Sequence, residues 1–188
     1  MSILFVNACM RADSRTLRLA KAVLSQDDAQ DVEEIRIGTK SCDALTERSI
    51  VSYNCGVASD NYEDAIFSPA KQFAQAEEVL IAAPLWNYGI PARLHDYLEI
   101  VCSQGITFDV DEQGRYVSLC HAKRLTFVTT MGGPYPSAEN DHAFGYIRTL
   151  ATAFWHIPLV RCVYAESLDM VGMDVESALK AALDRSEG

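Results

Sequence analysis

No stretch of the 188 residues approaches the ~18 consecutive apolar positions of a membrane span, and the longest apolar run, Val79 to Trp86, is interrupted by Pro84. Basic residues are scarce: 16 Lys and Arg stand against 26 Asp and Glu, a formal charge of −10. That balance argues against nucleic acid or an anionic membrane surface as partner, because both require a clustered positive field. One loop can still bind an anion, since net charge says nothing about a single site. The six cysteines (Cys9, Cys42, Cys55, Cys102, Cys120 and Cys162) show no C-x-x-C spacing, so no metal is expected. With mostly apolar neighbours they read as buried, reduced thiols of a cytoplasmic protein. The chain opens directly on an apolar strand pattern, without a basic leader or signal-like cleavage site, which supports the same expectation. Also missing are a Walker loop, a G-x-G-x-x-G turn, a G-x-S-x-G elbow and an H-E-x-x-H helix. Their absence disfavours ATP hydrolysis, conventional dinucleotide binding and hydrolytic chemistry.

What is present is a chain of one-domain length, 49% apolar, expected to bury a full core without staples over residues 1–188. Five short apolar runs alternate with helical patterns. Ile3–Val6, Val79–Ala83, Leu125–Thr130 and Leu159–Ala165 read as strands, and Val32–Ile37 as a weaker, peripheral one. Helices are expected from Ser14 onward, after Pro91, from about Ala143 to Trp155, and after an Asp174 cap. Such alternation implies an α/β fold, a parallel sheet covered on both faces. Ile106–Val110 and Arg115–Leu119 flank Asp111-Glu112-Gln113-Gly114 as a hairpin inserted before the fourth parallel strand. Residues 39–67 are polar and irregular, and no element is assigned there.

In an open parallel sheet, ligands bind beyond the carboxyl ends of the strands, where strand order reverses. Three segments at such ends carry candidate chemistry. In the first, Asn7 to Thr16, the hydroxyls of Ser14 and Thr16 and the free N–H groups of a helix start suit a phosphate, with Arg11 or Arg15 adding attraction. Ser14 is equally explained as a plain helix cap. In the second, Ala83 to Pro91, Leu85 and Trp86 offer apolar walls, and Asn87 and backbone groups offer hydrogen bonds, for a planar heteroaromatic ring. Packing of Trp86 and Tyr88 in the core is the alternative. In the third, Thr129 to Pro134, Gly132 and Gly133 let the backbone approach a ligand, or simply make a turn. Phosphate, ring and ring edge are complementary parts of one ligand.

Asn-Ala-Cys-Met-Arg-Ala-Asp-Ser-Arg-Thr at 7–16, Ala-Ala-Pro-Leu-Trp-Asn-Tyr-Gly-Ile-Pro at 82–91, Gly-Ile-Thr-Phe at 105–108 and Thr-Thr-Met-Gly-Gly at 129–133 together resemble the flavodoxin-like NAD(P)H:quinone oxidoreductases, in particular the FMN-dependent NADH-azoreductase branch. The resemblance implies a three-layer sandwich around a five-stranded parallel sheet of order 2-1-3-4-5. It also implies one FMN per subunit and a homodimer with its sites at the subunit boundary. By the same resemblance Ser14, Arg15 and Thr16, with Cys9 and Arg11, belong to the phosphate loop. Pro84, Leu85, Trp86, Asn87 and Tyr88 lie under the isoalloxazine. Thr130, Met131, Gly132 and Gly133 meet its pyrimidine edge, and Trp86, Phe108, Val110 and Phe154 form the substrate pocket. The chain departs from the branch at Cys9, usually Ser, and at Met131, often basic or polar. Pro134-Tyr135-Pro136 stands where several relatives carry a histidine.

His95, His121, His142 and His156 show no catalytic spacing, and a flavin enzyme needs none, because FMN carries the redox chemistry. The expectation is therefore an enzyme that passes electrons from NAD(P)H through FMN to a quinone, azo compound or similar aromatic acceptor in ping-pong fashion. A flavodoxin-type electron carrier serving protein partners, and a flavin-binding scaffold without turnover, are the alternatives.

Overall fold

In the computed structural model, which describes residues 2–26, 31–37 and 45–185, the alternation of side chains along the first strand already dictates three layers. Strand β1 (Ser2–Asn7) sends Ile3 and Phe5 to one face and Leu4 and Val6 to the other, and all four are buried. After it come α1 (Arg15–Gln26), β2 (Asp31–Arg36), α2 (Glu47–Ser59), a single 3-10 turn at Ala65–Phe67, α3 (Ser68–Gln75), β3 (Glu78–Ala82) and α4 (Ala92–Val101). The hairpin β4 (Phe108–Val110) and β5 (Tyr116–Ser118) precedes β6 (Arg124–Thr130), α5 (Phe144–Ala153), β7 (Leu159–Ala165) and α6 (Val175–Asp184). The main sheet has the order β2-β1-β3-β6-β7, with every pair parallel. Counting parallel strands alone, that is 2-1-3-4-5, with the hairpin as the insertion. The fold is the flavodoxin-like α/β arrangement.

Leu19, Ala20 and Val23 of α1 and Leu179 and Ala182 of α6 cover one face, against Ile3, Phe5, Leu80, Val128 and Val163. Phe73 of α3, Leu94 and Leu98 of α4, and Ile147 and Ala151 of α5 cover the other, against Leu4, Val6, Ile81, Leu125 and Phe127. The outer strand β2 is largely exposed, in keeping with its weak apolar pattern. At the amino edge of the sheet, the Arg124 guanidinium bonds Glu78 through Nε and Nη2, joining β6 to β3.

Several expectations need correction. The unassigned stretch 39–67 contains α2, opened by a capping box between Thr46 and Ser49, and the Ala65–Phe67 turn; its residues 39–44 lie outside the described ones. Among the described cysteines none is fully buried. Cys9, Cys102, Cys120 and Cys162 are half-buried, Cys55 is exposed on α2, and Cys42 lies outside the described residues. Burial nonetheless pushes the thiols of Cys102 and Cys162 up to about 12. Cys120 reaches about 12 through burial and then the proximity of Cys102. These groups are neutral thiols at physiological pH. The expected hairpin is present and packs on the residues after α5: Tyr116 meets Phe154 with ring centroids 4.4 Å apart, and Ser118 donates to the Trp155 carbonyl at 2.6 Å.

Candidate functional site

Strand order reverses between β1 and β3, so the loops leaving these strands diverge and open a crevice at the carboxyl edge. Four loops meet there around a pocket of about 140 Å³. Met10, Arg11, Ser14, Arg15 and Thr16 come from the first loop and helix start; Pro84, Leu85 and Trp86 follow β3; Thr130, Met131 and Gly132 end β6; Leu168 and Asp169 follow β7.

The first loop folds back on itself, the Ser14 N–H donating to the Arg11 carbonyl at 3.3 Å. Ser14 caps α1: its Oγ accepts from the Leu17 N–H at 3.2 Å and its carbonyl from the Arg18 N–H at 3.1 Å. Capping and anion binding are compatible, because a hydroxyl that accepts one hydrogen bond can still donate another. Among the described residues no acceptor meets the N–H groups of Arg15 and Thr16, which lie at the positive end of the helix dipole. Thr16 differs from expectation. Its side chain is fully buried and its Oγ1 lies 2.6 Å from Thr130 Oγ1, so it offers the pocket an N–H group rather than a hydroxyl.

Cys9 sits outside the pocket lining. Its N–H donates to Asn7 Oδ1 at 3.0 Å, and its thiol, raised in pKa by burial despite a hydrogen bond with Ser14, points to the Ala82 carbonyl at 3.7 Å. Asn7 also donates from Nδ2 to Glu34 Oε1 at 2.7 Å. The end of β1 is thereby tied both to β2 and to the loop it launches.

The second loop is anchored by the Leu85 N–H on the Thr130 carbonyl at 3.1 Å. Trp86 and Gly89 then exchange both backbone hydrogen bonds, at 3.0 and 2.9 Å, across a two-residue turn. Asn87 and Tyr88 adopt φ of 52° and 65°, the left-handed pair of a tight hairpin turn. The core-packing alternative does not hold, since Trp86 is 44% and Tyr88 58% exposed. The turn is braced from β6's loop: the His142 N–H donates to the Tyr88 carbonyl at 3.2 Å. Beside it, Asp141 accepts from the Tyr135 hydroxyl at 2.8 Å and from the Phe144 N–H at 2.9 Å. Pro134-Tyr135-Pro136 therefore contributes a strut rather than a titrating group.

In the third loop the Gly132 and Gly133 carbonyls are occupied by the N–H groups of Asp169 and Ser167, at 3.1 and 2.7 Å. A Cβ at 132 would overlap the Asp169 carboxylate, so glycine there makes room for Asp169. Asp169 in turn accepts from Arg15 Nη1 at 2.7 Å, and the same nitrogen reaches the Leu168 carbonyl at 3.3 Å. Sequence reasoning missed Met10, Leu168 and Asp169. The last two follow the fifth parallel strand, at a carboxyl end like those of the other loops, but carry no residue pattern that marks a ligand.

Within one chain the pocket gathers Arg11, Ser14, Arg15, Thr16, Pro84, Leu85, Trp86, Thr130, Met131 and Gly132. Asn87, Tyr88 and Gly133 stand just outside it. Phe108, Val110 and Phe154 are not brought to Trp86. Helices α4 and α5 run antiparallel to the strands and deliver the residues after them to the opposite edge of the sheet. There Phe108, Tyr116 and Phe154 form their own aromatic cluster, with centroid distances of 4.4 to 5.5 Å.

A doubly wound parallel sheet with a phosphate-sized site at its first helix start, walled by an aromatic turn after its third strand, defines a mononucleotide-binding domain. The chain belongs to the flavodoxin-like fold family, whose model matches residues 1–187. It is 29% identical over 196 residues to the FMN-dependent NADH:quinone oxidoreductase 2 of Clostridium acetobutylicum, a match covering 98% of this chain and 96% of that one. The FMN-dependent NADH:quinone oxidoreductase of Caldicellulosiruptor bescii is 37% identical over 125 residues, 65% of this chain and 61% of the relative. Among solved structures, the azoreductase of Bacillus anthracis superposes with a TM-score of 0.82 at 23% identity, over 99% of this chain and 96% of that one. At that identity the likeness speaks for the fold.

Proposed function

We propose that the protein is an FMN-dependent NAD(P)H oxidoreductase that reduces quinones, azo compounds or similar aromatic acceptors at one site, in two successive half-reactions. The observation that carries the reading is the convergence of the Ser14–Thr16 helix start and the Leu85–Trp86 turn on a single pocket. The names of the relatives that align along the chain agree with it.

The residues present fit FMN. The open N–H groups of Arg15 and Thr16, the Ser14 hydroxyl and the guanidinium of Arg15 or Arg11 would hold its phosphate. Leu85 and Met131, both apolar, would exclude water beside the ring, and the Thr130–Gly132 segment would border its edge. Bound FMN supplies the hydride acceptor and donor, a two-electron chemistry that no side chain in the pocket provides. Trp86 and Tyr88 present exposed ring faces on which a nicotinamide or a quinone can stack. The titratable groups lining the pocket within one chain are Arg11, Arg15 and Asp169.

The reading includes a homodimer in which the hairpin of one chain, with Phe108 and Val110, walls the pocket of the other, and Phe154 supports that hairpin. It also places the protein in the cytoplasm, on the strength of the free thiols among the described residues, Cys9, Cys55, Cys102, Cys120 and Cys162. No described helix is long and apolar enough to cross a membrane.

Purified protein supplied with FMN should show a flavin spectrum and oxidise NADH or NADPH faster when menadione or an azo dye is added, with parallel double-reciprocal lines. A carrier or an inert scaffold would bind FMN without this turnover. Absence of flavin binding after reconstitution would refute the reading outright.

A further inference from the structure

A carboxylate inside a phosphate pocket needs explanation. Asp169 is held there by its backbone: its N–H donates to the Gly132 carbonyl at 3.1 Å, the preceding Leu168 N–H donates to the Met131 carbonyl at 3.1 Å, and Leu168 itself is buried. The side chain lies over the bare Cα of Gly132, and Oδ1 meets Arg15 Nη1 at 2.7 Å. Ser14, Arg15 and Thr16, the groups that would bind a phosphate, line the same pocket of about 140 Å³. A phosphate placed at the α1 N-terminus therefore meets a fixed negative charge, and finds its arginine already paired.

We infer that Asp169 is a specificity-determining residue of this site: a resident anion that occupies Arg15 in the flavin-free protein and competes with the incoming phosphate. This inference rests on the FMN reading of the pocket. Its consequence concerns ligand choice. The carboxylate penalises a phosphorylated ligand and is indifferent to the same ring and ribityl chain without the phosphate, so it tempers the preference for FMN over riboflavin. Binding of phosphate draws Arg15 from Asp169 and removes the side-chain tie between the α1 start and the loop that follows β7. The Arg15 and Asp169 side chains are 40% and 68% exposed, so water screens the competition and the effect is moderate rather than decisive.

Asp169→Asn keeps the shape of the side chain, removes its charge and lies at an exposed position, so folding is not at stake. Flavin-free wild type and D169N are titrated into FMN and into riboflavin, with quenching of flavin fluorescence as the readout. The expected result is FMN binding tightened about three- to tenfold in D169N, from removal of one screened charge. Riboflavin affinity should stay within about twofold, since a ligand without charge does not feel the removed one. The FMN gain should shrink as salt is raised. Where riboflavin binds too weakly to titrate, the FMN change and its salt dependence carry the test. Unchanged or weaker FMN binding in D169N, or equal tightening of both flavins, overturns the inference while leaving the FMN reading intact. Failure of the wild type to bind either flavin overturns the FMN reading, and this inference with it.

Discussion

The contact between Thr16 Oγ1 and Thr130 Oγ1 joins the start of α1 to the end of β6, the two elements that would hold opposite ends of a flavin mononucleotide. At 2.6 Å, with Thr16 fully buried and Thr130 nearly so, this bond is well shielded from water. A hydroxyl left behind by a valine at the other position would be buried without a partner, at a cost of about 1–3 kcal/mol. Removing both hydroxyls with little change of shape leaves nothing unsatisfied. Thr16→Val and Thr130→Val should each lower the stability of the flavin-free protein by about 1–3 kcal/mol, and the double variant by clearly less than their sum. Urea unfolding of the four proteins measures this directly. Additive losses would mean that the hydroxyls act independently, and that the knot between phosphate loop and ring loop is not a stabilising pair.

At the scale of elements, the turn from Trp86 to Gly89 sets display against backbone comfort. Two consecutive left-handed residues suit Asn followed by Gly, yet here the second is Tyr88, at φ 65°. A non-glycine residue in that region costs about 1–3 kcal/mol, and what the chain gains is an exposed phenol beside an exposed indole. Tyr88→Gly should therefore stabilise the protein by about 1 kcal/mol. The same variant should raise the KM for a quinone or azo acceptor about fivefold, the worth of one aromatic contact. Thermal unfolding and steady-state kinetics on one preparation decide it: a variant both less stable and catalytically unchanged would show that Tyr88 is a packing residue. Elements with a strong period were legible in the sequence. The buried alternation of β1 and the apolar stripes of α1, α4 and α6 name their own partners. Helix α2 was not legible, because it buries only Gly56, whose missing side chain leaves room for the Phe67 ring. The three loops at the carboxyl edge were legible from strand order and residue type. Asp169 was not, because nothing in Leu168-Asp169-Met170 signals a ligand until β7 is laid beside β6 and its loop folds onto Gly132. The same holds for the side-chain direction of Thr16 and for the Phe108–Phe154 cluster, both of which are set by tertiary partners.

At the scale of the whole molecule, exposed large apolar side chains among the described residues gather in two places that matter for assembly. The first surrounds the pocket mouth, where Met10, Trp86 and Tyr88 are exposed and the loop after β7 adds Met170, Val171 and Met173. The second is the hairpin, where Val117 and Leu119 are exposed on the face turned away from Phe154, and Val110 and Tyr116 stay partly exposed on the face that meets it. Copies carrying a net charge of −10 repel one another, so association requires apolar burial sufficient to outweigh that repulsion. A two-fold axis satisfies both surfaces at once if each hairpin covers the partner's pocket mouth, because every such contact is then made twice. The same arrangement would bring Phe108 and Val110 of one chain to Trp86 of the other, joining residues that a single chain keeps at opposite edges of its sheet. Val117→Asp places a charge beside Leu119 on the hairpin face turned away from Phe154, where desolvating it in an interface would be costly. The variant should shift the protein from dimer to monomer in light scattering across a concentration series. Quinone reduction should fall in proportion to the monomer fraction, while FMN affinity, set mainly by the phosphate loop of the same chain, should change much less. A monomeric variant that keeps full NADH-dependent quinone reduction would refute the shared site, and a wild type that is monomeric and active at every concentration would refute the dimer itself.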